Sequence, residues 1–309
     1  MKILGVRIDS IRKGEALQKV SDFLQSNKQN KIFTPNPEML VDASRDSYFK
    51  EVLNSGDLNV CDGKGIQIAS RILRSSDIKS ERSEVRDLSE DINDKIQNPN
   101  VIQSAVSSKD PSSSTSAEAP VSSLGIIEKI PGVDLMLDIC ELAEKENKSI
   151  YLLGSGSDEV VKKTADVLQE KLPLLNIVGY NSGPKLQVIP TGHPPSGISY
   201  KLQVDKDKNE DTIYDIIIKA PDILFVAFGH GKQEKWIYEN LVDLPSVKIA
   251  MGVGGSFDFI SGKTKRAPVW MRKVGLEWLY RLVREPKRLF RIWKAVVVFL
   301  FYSFRNHTK

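Results

Sequence analysis

Three times in this chain an apolar run stops at glycine and a helix-like segment follows. The runs are "IYLLGSGSDEVVKK" from residue 150, "ILFVAFGHGKQEKW" from 223 and "VKIAMGVGGSFDF" from 247. A short run that is apolar on both faces fits a strand covered by helices above and below. Strands that alternate with helices must be parallel, because a crossover helix returns each new strand to the same end of the sheet. "KIFT" at 31 and "LNVCDGKGIQIASRIL" at 58 fit the same order. The expected fold class is α/β, a doubly wound, mostly parallel sheet, and such sheets bind ligands beyond the C-terminal ends of their strands. Five polar or glycine-rich tips fall at such ends: Thr34/Asn36, Asp62, Gly154–Ser157, Gly229–Gln233 and Gly254–Asp258.

Around this frame, residues 2 to 8 alternate like a strand, and 13 to 26 carry apolar residues at helical spacing. From 75 to 125 the chain turns rich in Ser, Asp, Glu and Lys with few aromatics, which predicts a disordered insertion. Residues 187 to 209, with "PTGHPPSG", read as a second insertion in loop form. The core is therefore expected over 1–74 and 126–271, with 272–309 as a basic appendage. Cys61 and Cys140 make neither a disulfide framework nor a metal spacing. The opening "MKILGVRIDS" has too short an apolar run for a signal peptide. Both features suit the cytoplasm.

Asp62 in "CDGKG" has glycine on both sides of Lys64, which lets a ligand approach the backbone. A carboxylate there can take a proton from a hydroxyl as a general base. Asp-Gly is also at home in a helix N-cap or an Asx-turn. Pro35 and Pro37 fix the backbone around Asn36, so Thr34 and Asn36 make a rigid polar mounting at a strand end. In "YLLGSGSDE", Glu159 stands where a dinucleotide fingerprint has its third glycine. Gly154 and Gly156 could still cradle a phosphate or base at a helix N-terminus, and a plain βα turn fits as well.

Gln233 and Glu234 open a helix after a glycine turn, with Trp236 available to anchor it. An amide can both donate to and accept from sugar hydroxyls or a diphosphate, while Glu234 complements the helix dipole. His230 in that turn is a lone histidine, more often solvated than catalytic. Gly254 and Asp258 close the last strand, as a ligand approach or as turn residues. No HExxH, P-loop or His/Cys cluster occurs in the sequence, so no metal or other cofactor is expected.

The net charge of +4 is unevenly spread: from Arg272 onward ten Lys/Arg face two Glu. The uncharged run Ala295–Phe304 has ten residues, half of the ~20 that a bilayer-spanning helix needs. Cations flank it on both sides. That favours a helix in the membrane interface over one packed on the core, and it argues against nucleic acid as the partner.

"TPNPEML", "DGKGI", "IPGVDLM", "FGHGKQEKWI" and "GVGGSFDFISGKTKRAPVWMRKVGLEWLYRLVREPKRL" occur in this order. Together they resemble the WecG/TagA/CpsF family of bacterial glycosyltransferases, over the whole chain apart from 75–125 and 187–209. The resemblance implies a Rossmann-like enzyme at the inner face of the cell membrane. It would move N-acetylmannosamine or a related sugar, with inversion, from a UDP-sugar donor to the 4-hydroxyl of N-acetylglucosamine on a polyprenyl diphosphate. That reaction belongs to teichoic acid or surface polysaccharide synthesis. Asp62 then matches the family's proposed base, Thr34 and Asn36 the pocket beside it, and Gln233 a glutamine of the family motif. Arg281, Arg288 and Arg291 fall in the segment associated with membrane docking and diphosphate contact.

Three features depart from the family pattern. Gly231 stands where proline is usual, which predicts a looser loop, and Lys129 stands where arginine is usual, which loses a bidentate fork. The Ser-rich insertion lands just ahead of Lys129, where the family has a short active-site loop. A non-catalytic nucleotide-binding adaptor at the membrane surface is the alternative these departures permit. The oligomeric state is left open, a homo-oligomer included.

Overall fold

The structure is a computed structural model that describes residues 1–71, 128–154, 156–191, 199–274 and 276–284, together with 298, 299 and 302. The expected insertion at 75–125 lies outside the described residues.

Six strands form one parallel sheet: β3 (Asn30–Phe33), β4 (Leu58–Asn59), β5 (Ser149–Gly154), β6 (Asn176–Asn181), β9 (Ile223–Ala227) and β10 (Ile249–Gly252). Their spatial order is β4-β3-β10-β9-β5-β6. Alternation along the central strands divides the core in two. Phe33, Tyr151, Leu153, Leu224, Val226 and Ala250 face one layer, while Ile32, Ile150, Leu152, Ile223, Phe225 and Met251 face the other. The first layer is covered by α2 (Pro37–Arg45), α3 (Ser47–Asn54), the helix α4 over 64–71 and α8 (Lys232–Asn240). The second is covered by α1 (Lys13–Gln25), α5 (Gly132–Lys145), α6 (Asp158–Lys171) and α9 (Ser256–Ile260). A sheet buried on both faces is what the glycine-ended apolar runs predicted.

Two expectations change. Residues 2 to 8 are not one strand: β1 (Lys2–Ile3) and β2 (Val6–Arg7) pair antiparallel about a turn at Leu4 and Gly5, both with positive φ. Within 187–209, β7 (Leu186–Thr191) and β8 (Ser199–Val204) form an antiparallel hairpin in place of a loop, and α7 (Lys206–Lys219) starts inside the segment. Lys235 ties this hairpin down, its ammonium donating to the Tyr200 carbonyl (2.6 Å) and to Asp46 (2.9 Å).

After β10 the chain adds α10 (Val269–Val274) and α11 (Glu277–Arg284). The described residues of the apolar tail run lie on the body of the protein. Phe299 is fully buried in the first core layer, and Tyr302 accepts a hydrogen bond from Arg45. At Phe299 the core-packed reading of this run holds, not the interfacial one. Among the described residues no helix is long and apolar enough to cross a membrane.

Candidate active site

Because the main strands are parallel, the tips of β3, β4, β5, β9 and β10 gather along one rim of the sheet. The β3 and β4 tips are joined beyond the ladder: Val60 N–H donates to the Phe33 carbonyl, and Asp62 N–H to the Pro35 carbonyl, both at 3.0 Å. Asp62 is thereby held beside the Thr34–Asn36 segment. On its other flank Ile130 N–H donates to the Cys61 carbonyl (2.9 Å), which brings Lys129 and the start of α5 alongside.

Glycines make this corner tight. A Cβ at Gly63 would come within 3.0 Å of the Pro37 ring, and one at Gly132 within 3.2 Å of the Thr34 hydroxyl. Asn36 caps α2, its Oδ1 accepting from Met39 N–H at 3.0 Å, with Pro37 at the first helical position. The mounting expected between the two prolines is therefore a helix cap, and Thr34 is the polar side chain next to Asp62's strand tip.

A charged cluster surrounds this corner. Arg266 grips Asp134 with both terminal guanidinium nitrogens, Nη1 at 2.5 Å and Nη2 at 2.9 Å. Glu277, at the start of α11, stands 3.8 Å from Arg266 Nε and 4.0 Å from Lys129 Nζ. Burial pushes the Asp134 carboxyl up, but the hydrogen bonds and charge of Arg266 outweigh it and hold the group below the usual carboxylate range. Asp62 lies close enough to add to the stabilisation of the Arg266 cation. The Cys61 thiol is pushed up to about 12, by burial first and the Asp62 charge second, so at neutral pH it is no nucleophile. Arg266, Asp134 and Glu277 were missed as site residues in the sequence, although all three lie in the motif blocks quoted above.

The β9 and β10 tips are stapled by one amide. Gln233 Oε1 accepts from Gly229 N–H (3.2 Å) and Gly254 N–H (2.9 Å), and its Nε2 donates to Glu234 (2.7 Å). Glu234 in turn accepts from Gly231 N–H at 2.8 Å. Both side chains are buried, and burial pushes the Glu234 carboxyl upward against the opposing pull of His230 and these hydrogen bonds. Gln233 and Glu234 thus build the loops rather than face an open cleft.

Gly231 sits at φ 75° and donates its N–H to Glu234, neither of which proline can do. Gln233→Ala would strand two backbone donors and one carboxylate oxygen, a cost of about 2–4 kcal/mol. Urea unfolding should register it; a loss below ~0.5 kcal/mol would mean that water replaces the amide.

The remaining positions fall apart from this corner or outside view. Gly154 is required by packing, since a Cβ would come 2.7 Å from the Ala227 backbone. Gly156 has positive φ in open space, and Asp258 pairs with Lys263 at 3.2 Å. Arg281 lies on α11 with its side chain outside the described residues, as are Arg288 and Arg291 entirely.

Comparison with known proteins gives a consistent result. Residues 1–109 and 120–309 match the model of the glycosyl transferase WecG/TagA/CpsF family. The match therefore enters much of 75–125 and all of 187–209, a wider extent than the motifs alone suggested. Among curated relatives are the N-acetylglucosaminyldiphosphoundecaprenol N-acetyl-β-D-mannosaminyltransferases of Staphylococcus aureus strains MW2, NCTC 8325 / PS 47 and MRSA252. Each is 25% identical over 301 residues, covering 97% of this chain and 90% of the relative.

Proposed function

Since the chain belongs to the WecG/TagA/CpsF family of glycosyl transferases, we propose that it transfers N-acetylmannosamine, or a closely related sugar, from a UDP donor to N-acetylglucosamine on undecaprenyl diphosphate. The observation that carries this reading is the corner where Asp62, held to Pro35, meets the Lys129–Arg266–Glu277 cluster. A carboxylate with two cations beside it suits a displacement at a sugar carbon with a diphosphate leaving.

In the proposed reaction Asp62 takes the proton of the acceptor 4-hydroxyl as that oxygen attacks the anomeric carbon. The new C–O bond forms on the face opposite the old one, so the configuration inverts. The departing electron pair goes to the β-phosphate oxygen of UDP, where Lys129 and Arg266 stabilise the charge. In the free protein Asp134 pairs with Arg266 and Glu277 lies beside both Arg266 and Lys129, so an incoming diphosphate would compete with these carboxylates. Proton transfer and charge stabilisation are thus both assigned to side chains. The acceptor is a membrane lipid, so we place the protein peripherally on the inner face of the cell membrane. There the exposed Val269, Trp270, Val274 and Val283 of α10 and α11 would meet the bilayer.

The test is a panel of UDP-sugars offered with a short-chain lipid diphosphate N-acetylglucosamine acceptor. Turnover with UDP-N-acetylmannosamine and release of UDP is expected. Binding of UDP without transfer from any donor would favour the adaptor reading instead.

A further inference from the structure

We propose that Glu277 is a built-in stand-in for the donor diphosphate, and that its displacement couples donor binding to the docking of α11 on the membrane. The inference deepens the proposed transfer reaction and rests on a diphosphate lying between Lys129 and Arg266. Glu277 opens α11 (Glu277–Arg284). Its carboxylate reaches back to the strand-tip rim, 4.0 Å from Lys129 Nζ and 3.8 Å from Arg266 Nε. The three side chains are only 15 to 18% exposed, so little water shares the space between them.

The contact is close in charge but loose in fit. Both distances exceed the about 2.7–3.2 Å of a hydrogen bond. Arg266 spends Nη1 and Nη2 on Asp134, whereas its Nε is buried and has no hydrogen-bond partner. A buried donor left without an acceptor is costly, and such a group in a folded protein calls for a reason. A diphosphate supplies what Glu277 does not. It carries more charge than one carboxylate, and its several oxygens can meet Nε and the Lys129 ammonium at once. Of the two carboxylates it meets, Glu277 is the one to give way. Asp134 makes two hydrogen bonds to Arg266, while Glu277 lies beyond hydrogen-bond reach of both cations.

Expelling Glu277 shifts the helix that carries it. α11 presents Leu279 and Val283 outward, 36 and 75% exposed. A bilayer that takes up these side chains draws α11 away from the rim. A diphosphate pushes Glu277 from the same place by like-charge repulsion. Membrane and donor thus favour one state, so each must raise the affinity for the other by the same factor. In water the latch holds the protein in the state that binds donor less well. Donor is then engaged where the lipid acceptor resides.

The test is calorimetric titration of the full chain with UDP, in the parent and in Glu277→Gln, with and without vesicles of phosphatidylglycerol and phosphatidylcholine. Without vesicles the variant should bind UDP at least ~5-fold more tightly than the parent, the lower end of ordinary coupling. Vesicles should tighten UDP binding by the parent relative to the variant, which has already lost the latch. Repulsion of UDP by the anionic surface is common to both proteins and cancels. UDP should in turn strengthen flotation of the parent with the vesicles. Equal or weaker UDP binding by Glu277→Gln would overturn the proposal, and so would a vesicle effect identical in the two proteins. If Glu277→Gln fails to fold, the parent's flotation with and without UDP decides, and no difference between them overturns the latch. Inorganic pyrophosphate separates the latch from the transfer reaction. Tighter pyrophosphate binding by the variant, with UDP bound by neither protein, would keep the latch and retire the nucleotide donor. Sugar transfer with no effect of the substitution on UDP affinity would keep the reaction and retire the latch.

Discussion

Asp62→Asn is expected to lower turnover by ~10²–10⁴-fold, the usual cost of losing a general base, while the fold is kept. Asparagine preserves the shape of the side chain and leaves untouched the Asp62 N–H bond to Pro35 that holds the corner. It cannot accept the hydroxyl proton. Among the described residues around it, the Cys61 thiol is buried with its pKa pushed up, the Asp134 carboxylate is spent on both terminal nitrogens of Arg266, and Glu277 stands against Arg266 and Lys129. The donor should bind as before or slightly more tightly, because removing a carboxylate leaves Lys129 and Arg266 more positive towards a diphosphate. Steady-state kinetics with UDP calorimetry separates the two effects, since the loss must appear in kcat with UDP affinity kept. The fall of kcat at acid pH, where the base is protonated, should vanish with it. Activity within a few-fold of the parent would make Asp62 a turn residue and nothing more.

What the sequence revealed here was whatever is local. The six-stranded sheet was legible because its central strands, buried on both faces, read as unbroken apolar runs that end in glycine. Asp62 and Thr34 were legible because strand tips follow directly from strand ends. Arg266 and Asp134 were not, because 132 residues separate a pair that only the folded chain brings together. His230 and Asp42 of α2, 188 residues apart, meet for the same reason. Gln233 stood out by its place in a glycine turn, yet its task, stapling Gly229 to Gly254, depends on β9 and β10 being neighbours. The β7–β8 hairpin hid behind "PTGHPPSG", whose turn residues signal a loop more strongly than its short flanks signal strands.

The second large effect concerns the membrane. Cutting off the tail would be a poor test, because Phe299 is buried in the core beside Gly65 and its loss would leave a cavity. The better test lies on α10 and α11, where apolar side chains face outward. Trp270 is 63% exposed, Val274 55% and Val283 75%. Exposed apolar residues on short helices of a strongly basic segment cost solubility unless something covers them. A bilayer surface meets both needs, since acyl chains take the apolar groups while anionic headgroups meet the cations. Trp270→Glu with Val274→Glu should therefore weaken binding to anionic liposomes by roughly 10²-fold. That corresponds to about 3 kcal/mol for two partly buried apolar side chains, before the added negative charge is counted. Thermal stability should hardly change, because neither side chain packs inside the protein. Binding by the parent should weaken as salt is raised, since each cation near the surface contributes only ~1 kcal/mol and is screened within a Debye length. Turnover on a water-soluble short-chain acceptor should survive in the variant while turnover on vesicle-borne acceptor falls. Equal flotation of parent and variant with liposomes would remove α10 and α11 from the membrane, and the tail beyond residue 284 would then have to provide the contact.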